Sequence, residues 1–199
     1  MVFFCNLLYN GDGGKMNFHN KTNYNYKYSN RGMGFEDDIN ASNEYYYNSG
    51  KAVIYKNPTP ITINKVNYKS RRDAMITEAH FNTPSTTDYN GVYKGKYIDF
   101  EAKETKNKTS FPLSNIHIHQ IDHLRKITEL GGIGFIIVRF TSLDETYYLS
   151  SKYLLDFIDT NERKSIPVNY FKEKGCLIGH KLRPLVDYLE CVDKELKES

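Results

Sequence analysis

The sequence predicts a single α/β domain. Segments with helical spacing of apolar residues alternate with short runs of β-branched and aromatic residues, which is the pattern of a sheet covered by helices. A length of 199 residues, of which 39% are hydrophobic, provides one core of this kind, and two independent domains would be a tight fit. The formal net charge is only +3, so any surface for nucleic acid must come from local clustering of basic residues.

Three segments have the periodicity or the end signals of helices. Residues 35–48 place apolar and small side chains three or four positions apart, and three acids near the start suit the positive end of a helix dipole. A second helix is predicted to follow Ser114, its N-cap, and to end at Gly131. Ser150 is predicted to cap a third helix over residues 152–158.

Six runs have the composition of strands, namely residues 52–55, 61–66, 86–89, 97–103, 133–140 and 145–149. The excursion before the third run is longer than an ordinary connection, which suggests that it has a function. Pro58 and Pro60 interrupt any regular ladder at its start, and a short helical stretch is predicted around residues 74–79. Residues 56–84 are therefore interpreted as an insertion that protrudes from the domain.

Both ends of the chain are expected to lack regular structure. Residues 1–29 are rich in Asn, Tyr, Gly and Lys without a helix or strand period, which predicts a mobile N-terminal arm, and Met16 is a second candidate for the natural start. Residues 192–199 are predicted to form a frayed polar end. Residues 30–199 are interpreted as the single main domain.

Cysteine usage and hydropathy indicate the compartment. Cys5, Cys176 and Cys191 are odd in number and widely spaced, so we expect reduced thiols rather than a disulfide framework or a metal site. The apolar run over residues 2–8 is too short to cross a membrane and lacks the flanking features of a signal peptide. The sequence therefore predicts a cytoplasmic protein without membrane attachment.

The chemically informative residues are Asp88 and the run from Asp99 to Lys103. Side chains along a strand alternate with a period of two, so Asp99, Glu101 and Lys103 lie on one face. If Asp88 lies on the neighbouring strand, its carboxylate joins that of Glu101 to hold Mg²⁺, a hard ion that prefers oxygen ligands. Lys103 would then lie beside the attacking water and the phosphoryl oxygens, and in-line attack would leave 5′-phosphate ends.

Each of these signals also has an ordinary structural explanation. A Glu-x-Lys triplet occurs by chance on many solvated strands. The cations of the insertion form either a solvated face or a set of phosphate contacts, and they are Lys56, Lys65, Lys69, Arg71 and Arg72. His117, His119 and His123 are close in sequence, but only the last two have i, i+4 spacing and no third ligand completes a zinc site.

Longer motifs make the pattern specific. They are Asn30-Arg31-Gly32-Met33, residues 51–60, residues 84–91, residues 97–105 and residues 111–120. This succession, between about residues 30 and 189, resembles the RecU family of Holliday junction resolvases, which have a PD-(D/E)xK-type nuclease core. The resemblance implies a restriction-endonuclease-like fold, in which a mixed sheet is flanked by helices and the insertion forms a protruding stalk.

The resemblance also implies ligands and an assembly. Lys103 is expected to stabilise the transition state next to Mg²⁺, for which Mn²⁺ substitutes, held at Thr86, Asp88, Glu101 and Gln120. The stalk of a homodimer is expected to enter the centre of a four-way DNA junction. Strand-exchange and branch-migration proteins are expected partners, and Arg31, Lys106 and Lys108 are candidates for further contacts with DNA.

Two further acids are candidates for support of the site. Glu36 is either a first-helix acid near the metal or a surface acid favoured by the helix dipole. Asp99 either supports the ligands from behind or is simply solvated.

The leading expectation is a Mg²⁺-dependent endodeoxyribonuclease that resolves Holliday junctions by paired symmetric nicks in DNA recombination and repair. Each chain carries one catalytic constellation, so two nicks call for a dimer. One alternative is a restriction-type endonuclease that reads base edges in the major groove. The other is a non-catalytic junction-binding scaffold, and the retention of Asp88, Glu101 and Lys103 argues against it.

Overall fold

The computed structural model describes residues 34–68, 70, 72–82 and 86–198. The helices are α1 Phe35–Asn48, α2 Ile118–Glu129, α3 Ser151–Thr160, α4 Val168–Lys174 and α5 Leu189–Glu198, with a 3₁₀ turn at Leu113–Asn115. The strands are β1 Ala52–Lys56, β2 Ile61–Asn67, β3 Met75–Phe81, β4 Tyr89–Tyr93, β5 Lys96–Thr105, β6 Ser110–Pro112, β7 Ile133–Phe140, β8 Glu145–Ser150, β9 Ser165–Pro167 and β10 Cys176–Ile178.

A six-stranded mixed sheet with the order β1-β4-β5-β7-β8-β10 organises the domain. Its neighbours pair antiparallel except for β5 and β7, which are parallel and are joined by a crossover that contains α2. Strands β2 and β3 form a separate two-stranded sheet, and so do β6 and β9. The predicted restriction-endonuclease-like class, a mixed sheet flanked by helices, is confirmed.

The alternation of side chains along β5 and β7 divides the core into two layers. Phe100 and Phe135 face one side, where they pack in one buried cluster with residues of α1 and α5. Ile136 and Val138 face the other side, in a cluster that includes Leu124 of α2 and residues of α3. Because strand neighbours point to opposite faces, β7 is buried on both sides and reads as a continuous apolar run.

Helix α2 packs against one face of the sheet. On that face, the part formed by β1 and β4 is not covered. Val53, Val92 and Tyr97 are cross-strand neighbours on this face, and all three are exposed. Asp99 and Glu101 lie on the same face of β5, because they follow Tyr97 at steps of two residues. The acidic positions therefore adjoin an uncovered part of the sheet.

The insertion is a two-stranded antiparallel ribbon, β2 paired with β3. All of its described strand residues are exposed except Val66, which is half-buried, and Phe81 is 79% exposed. The helical stretch predicted around residues 74–79 is wrong, because this segment is β3. Pairing with β2 satisfies its backbone groups, and this cross-strand pairing outweighs the helical spacing within the segment.

Three predicted boundaries also need correction. The run 86–89 is not a strand throughout, since β4 begins at Tyr89. Ser114 lies in the 3₁₀ turn, and α2 instead begins at Ile118 with His117 as its N-cap and a capping box from Gln120. The predicted frayed end is helical through Glu198, because α5 packs against β10.

The prediction of reduced thiols is wrong for Cys176 and Cys191, which form a disulfide with their Cα atoms 5.8 Å apart. The two residues meet because α5 lies beside the edge strand β10. Cys5 and the predicted arm, residues 1–29, lie outside the described residues. No helix in the described part of the chain is long and apolar enough to span a membrane, and a cytoplasmic location stays a prediction.

Gly91 permits a close approach of β1 to β4. A Cβ atom there would overlap the carbonyl oxygen of Val53 and lie 2.7 Å from Cα of Ile54. We expect Gly91→Ala to lower the free energy of unfolding by about 1–3 kcal/mol, as is usual for overpacking. Urea unfolding measures the loss, with Gly179→Ala as the matched control because nothing lies within 4 Å of its added Cβ. Equal stability of the two variants would contradict the close approach.

Candidate active site

The pairing of β4 with β5 brings Asp88 opposite Glu101. Tyr89 pairs with Phe100 in the antiparallel register, so the next step outward places Asp88 against Glu101. The backbone N–H of Asp88 donates to Oε2 of Glu101 at 3.1 Å, and the N–H of Ala102 donates to Oδ2 of Asp88 at 3.4 Å. The carboxylates predicted to share a metal therefore adjoin each other, although Asp88 precedes its strand.

Glu101 is fully buried, with 0% exposure. Its pKa is raised to about 7, first by burial and then by the neighbouring charge of Asp88, while Lys103 opposes both effects. The Lys103 ammonium forms an ion pair with Oε1 of Glu101, an oxygen with no other hydrogen bond to the described residues. Glu101 thus pairs with one ammonium while a second carboxylate, that of Asp88, adjoins it in a place where burial disfavours negative charge.

Asp99 is also fully buried and accepts from three side chains. The hydroxyl of Thr87 donates to Oδ1, the hydroxyl of Tyr97 donates to Oδ2 at 2.9 Å, and Nε2 of His123 lies 3.0 Å from Oδ2. These contacts join β5 to the loop that carries Asp88 and to α2. The alternative of a simply solvated Asp99 is therefore wrong.

Glu36 lies in the first turn of α1 and pairs with Lys56 of β1. Its backbone carbonyl accepts from the hydroxyl of Tyr89 at 3.4 Å. The pKa of Tyr89 is raised, first by burial and then by the negative charges of Glu36 and Asp88. The acid of α1 therefore lies beside Tyr89, the residue that follows Asp88, and its own carboxylate pairs with a lysine.

Thr86 and Gln120 occupy different environments. Thr86 is half-buried in the segment that leads to Asp88. Gln120 is buried on α2, where its Oε1 accepts from the backbone N–H of His117 at 2.9 Å as part of a capping box. A carbonyl oxygen has a second lone pair, so this bond leaves Gln120 one acceptor position for a cation.

The candidate DNA-binding cations are only partly described. Lys65 is exposed on β2 and Arg72 is exposed between β2 and β3. Lys106 and Lys108 are exposed after β5. Arg31, Lys69 and Arg71 lie outside the described residues, so their assignment stays a prediction.

Sequence reasoning missed the residues that hold the loop before β4. These are Asn57, Thr87, Asn90, Tyr97 and His123, which join one another, the loop backbone or Asp99 through hydrogen bonds. Apart from Tyr97, which precedes Asp99 by two positions, their partners lie 12 or more positions away in sequence, so no local pattern points to them. Only the run Thr87-Asp88, next to a strand with buried acids, offered a signal.

The donor set suits a hard divalent cation. Asp88 and Glu101 supply adjacent carboxylate oxygens, and the predicted set adds a hydroxyl from Thr86 and an amide oxygen from Gln120. Among the described residues no group of three or more His, Cys, Asp and Glu could hold a metal. The two carboxylates of Asp88 and Glu101 suit an ion such as Mg²⁺ that retains several waters.

Two acids and a lysine thus lie beside the open part of a mixed sheet, which is the arrangement predicted for a PD-(D/E)xK-type site. The family model described as "Recombination protein U" matches residues 30–194. The chain belongs to this family.

Several relatives are similar over most of their length. The chain is 56% identical over 173 residues to the Holliday junction resolvase RecU of Oceanobacillus iheyensis, a match that covers 85% of this chain and 88% of the relative. It is 53% identical over 178 residues to the protein of the same name from Leuconostoc mesenteroides, with coverage of 89% and 87%.

A solved structure also matches. It is Hjc, a Holliday junction resolvase from Archaeoglobus fulgidus, with a TM-score of 0.41, 11% identity and coverage of 71% of this chain and 93% of that chain.

The raised pKa of Glu101 makes the metal-free site a source of instability. An acid whose pKa is higher in the folded state loses folding free energy as the pH rises from 4.5 to about 7. This shift corresponds to a loss of about 3 kcal/mol. We therefore expect Glu101→Gln to raise the melting temperature at pH 8 in chelator, and to have much less effect at pH 5.

Thermal unfolding followed by circular dichroism measures this difference. Glu104→Gln is the matched control, because Glu104 lies on the same strand but is exposed. A lower melting temperature of Glu101→Gln at pH 8 would show that the Lys103 ion pair outweighs the burial of the carboxylate.

Proposed function

We propose that this protein is a metal-dependent endonuclease that resolves Holliday junctions by paired symmetric nicks. The observation that carries the proposal is that Glu101 contacts both Asp88 and Lys103 beside the open part of the sheet, in a member of the Recombination protein U family. Relatives that are more than half identical carry the name Holliday junction resolvase. A role in DNA recombination and repair follows from this activity.

The site holds Mg²⁺, for which Mn²⁺ substitutes, through Asp88 and Glu101, with Thr86 and Gln120 as further ligands. The bound cation supplies an activated water and polarises the phosphate. Lys103 carries a positive charge next to Glu101, so its ammonium is placed to stabilise the charge that grows on the phosphoryl oxygens. In-line attack by water leaves 5′-phosphate ends.

The ribbon provides selectivity for the junction. Its exposed strands carry Lys65 and lead to Arg72, and such cations bind phosphates without reading sequence. Because each chain has one site, two nicks require a homodimer, in which paired ribbons enter the junction. Strand-exchange and branch-migration proteins are the proposed protein partners, since they act on the same DNA intermediate.

Asp88→Asn is expected to abolish nicking of a synthetic four-way junction and to leave junction binding nearly unchanged. The change removes the charge of a metal ligand without touching the cations that meet phosphate. Nicking is measured with and without Mg²⁺ on the junction and on linear duplex. Asp122→Asn is the control, because Asp122 is exposed on α2. A wild-type rate in Asp88→Asn would remove Asp88 from the metal site.

Lys103→Ala is expected to slow cleavage by about 10²-fold or more, as for the loss of one transition-state electrostatic group, with little change in metal affinity. Single-turnover rates across a Mg²⁺ series separate these two effects. Lys96→Ala is the matched control on the same strand, where Lys96 is exposed. A defect confined to DNA affinity would make Lys103 a positioning cation instead.

Replacement of the ribbon, residues 61–81, by a short Gly-Ser turn is expected to spare the fold and remove the preference for four-way junctions. The excision is feasible because the N–H of Asn82 donates to the carbonyl of Pro60 at 2.9 Å, so the cut ends adjoin. Shortening a surface loop also has little entropic cost.

Competition between a four-way junction and linear duplex, across a salt series, measures the loss of selectivity. The double variant Lys65→Ala with Arg72→Ala keeps the ribbon but not these charges, and it should lose affinity without losing all preference for the junction. If the folded deletion protein kept the wild-type preference, selectivity would lie in the sheet face and not in the ribbon.

A further inference from the structure

Asn57 joins the two ends of the insertion. It is the first residue after β1, and its backbone N–H donates to the carbonyl of Asp88 at 2.7 Å. Its side-chain Nδ2 donates to the carbonyl of Thr87 at 2.8 Å. The chain therefore leaves the sheet for the ribbon and returns to it at one hydrogen-bonded point, immediately next to a proposed metal ligand.

The orientation of the Asn57 amide is determined by a third contact. Nδ2 of Asn90 donates to Oδ1 of Asn57 at 2.8 Å. An amide flip would set two NH₂ groups against each other and turn Oδ1 towards the carbonyl oxygen of Thr87. The donor of Asn57 is therefore held towards the loop by a residue of β4.

Both polar groups of the Thr87–Asp88 peptide are bound. Its carbonyl accepts from Asn57, and its N–H, on Asp88, donates to Oε2 of Glu101. Because a peptide group is planar, contacts at both ends determine the orientation of the plane and hence the direction in which the Asp88 side chain leaves the backbone. The Thr87 side chain adds a hydrogen bond to Asp99.

We propose that Asn57 is a positioning residue for Asp88, and that it makes the affinity of the site for a divalent cation depend on the base of the ribbon. The inference rests on the proposed metal-dependent function. Asn57 is neutral and is not itself a proposed metal ligand, and it orients the Asp88 carboxylate towards Glu101. Asn57 also lies in the segment that connects the ribbon to the sheet.

The test compares Asn57→Ala with Asn57→Asp in the full chain. Mn²⁺ binding without DNA is followed by electron paramagnetic resonance, and the Mg²⁺ concentration for half-maximal nicking is measured on a four-way junction. Asn57→Ala is expected to weaken both by roughly five- to tenfold, the usual effect of one lost hydrogen bond. Asn57→Asp is expected to weaken them more, because it sets a carboxylate oxygen against the Thr87 carbonyl.

Two further variants separate positioning from general damage. Asn64→Ala is the matched control, because Asn64 is exposed on β2 and bonds only at 3.4 Å to Glu78 among the contacts described, and it should leave metal binding unchanged. Asn90→Ala should weaken metal binding less than Asn57→Ala. It should add almost nothing in the Asn57→Ala background, since it acts through the same amide.

Junction affinity in chelator and the melting temperature complete the experiment. Unchanged junction affinity, with weaker Mn²⁺ binding in a folded Asn57→Ala protein, supports the assignment. Wild-type Mn²⁺ binding in Asn57→Ala overturns it, as does a loss of junction affinity alone, which would make Asn57 a DNA contact. Failure of the wild-type protein to cut junctions would count against the proposed function, whereas Mn²⁺ binding would still test Asn57.

Discussion

The antiparallel pairing of β4 with β5 is the constraint on which the candidate site depends. This register places Asp88 one step beyond the last paired residues and opposite Glu101. A slip of one residue would turn Glu101 and Lys103 to the apolar face, because side chains alternate with a period of two. Gly91 lets β1 approach β4 closely, because it has no Cβ. The sheet face around Val92 is exposed, so the site is open on that side.

The opposite face of the same strands explains why the register is stable. Tyr89, Phe100 and Phe135 come from β4, β5 and β7, and their rings stack with centroids 4.8 and 4.6 Å apart. Each acid on one face is therefore a sequence neighbour of a buried ring on the other. The apolar layer supplies the stability that the buried carboxylates remove, since burial of charge without a full set of partners is unfavourable.

The buried acids have different surroundings, and this difference separates their roles. The carboxylate of Asp99 is hydrogen-bonded to the side chains of Thr87, Tyr97 and His123, so both of its oxygens already have partners within the protein. Glu101 has Lys103 and one backbone N–H, and its pKa is raised by burial and by Asp88. A carboxylate with few donors beside another carboxylate suits a cation, whereas one saturated with donors suits the support of a loop.

The sequence by itself determined the class of fold, helix α1, the buried strand β7 and the common face of Glu101 and Lys103. The fold class depends on the alternation of helix-like and strand-like segments, the other three features on the residue pattern within one segment, and the family motifs on residue order alone. The prediction of a helix at residues 74–79 failed because the partner strand β2 decides the conformation of β3.

Only the tertiary structure decided which groups surround the acids. Asn57 meets Thr87 across 30 positions, His123 meets Asp99 across 24, and Cys176 meets Cys191 across 15. The N-cap of α2 is likewise His117 and not the predicted Ser114, because the side chain of Gln120 forms a capping box with His117. Such contacts arise when strands and helices pack, and a contact between residues that are distant in sequence leaves no periodic trace from which it could be predicted.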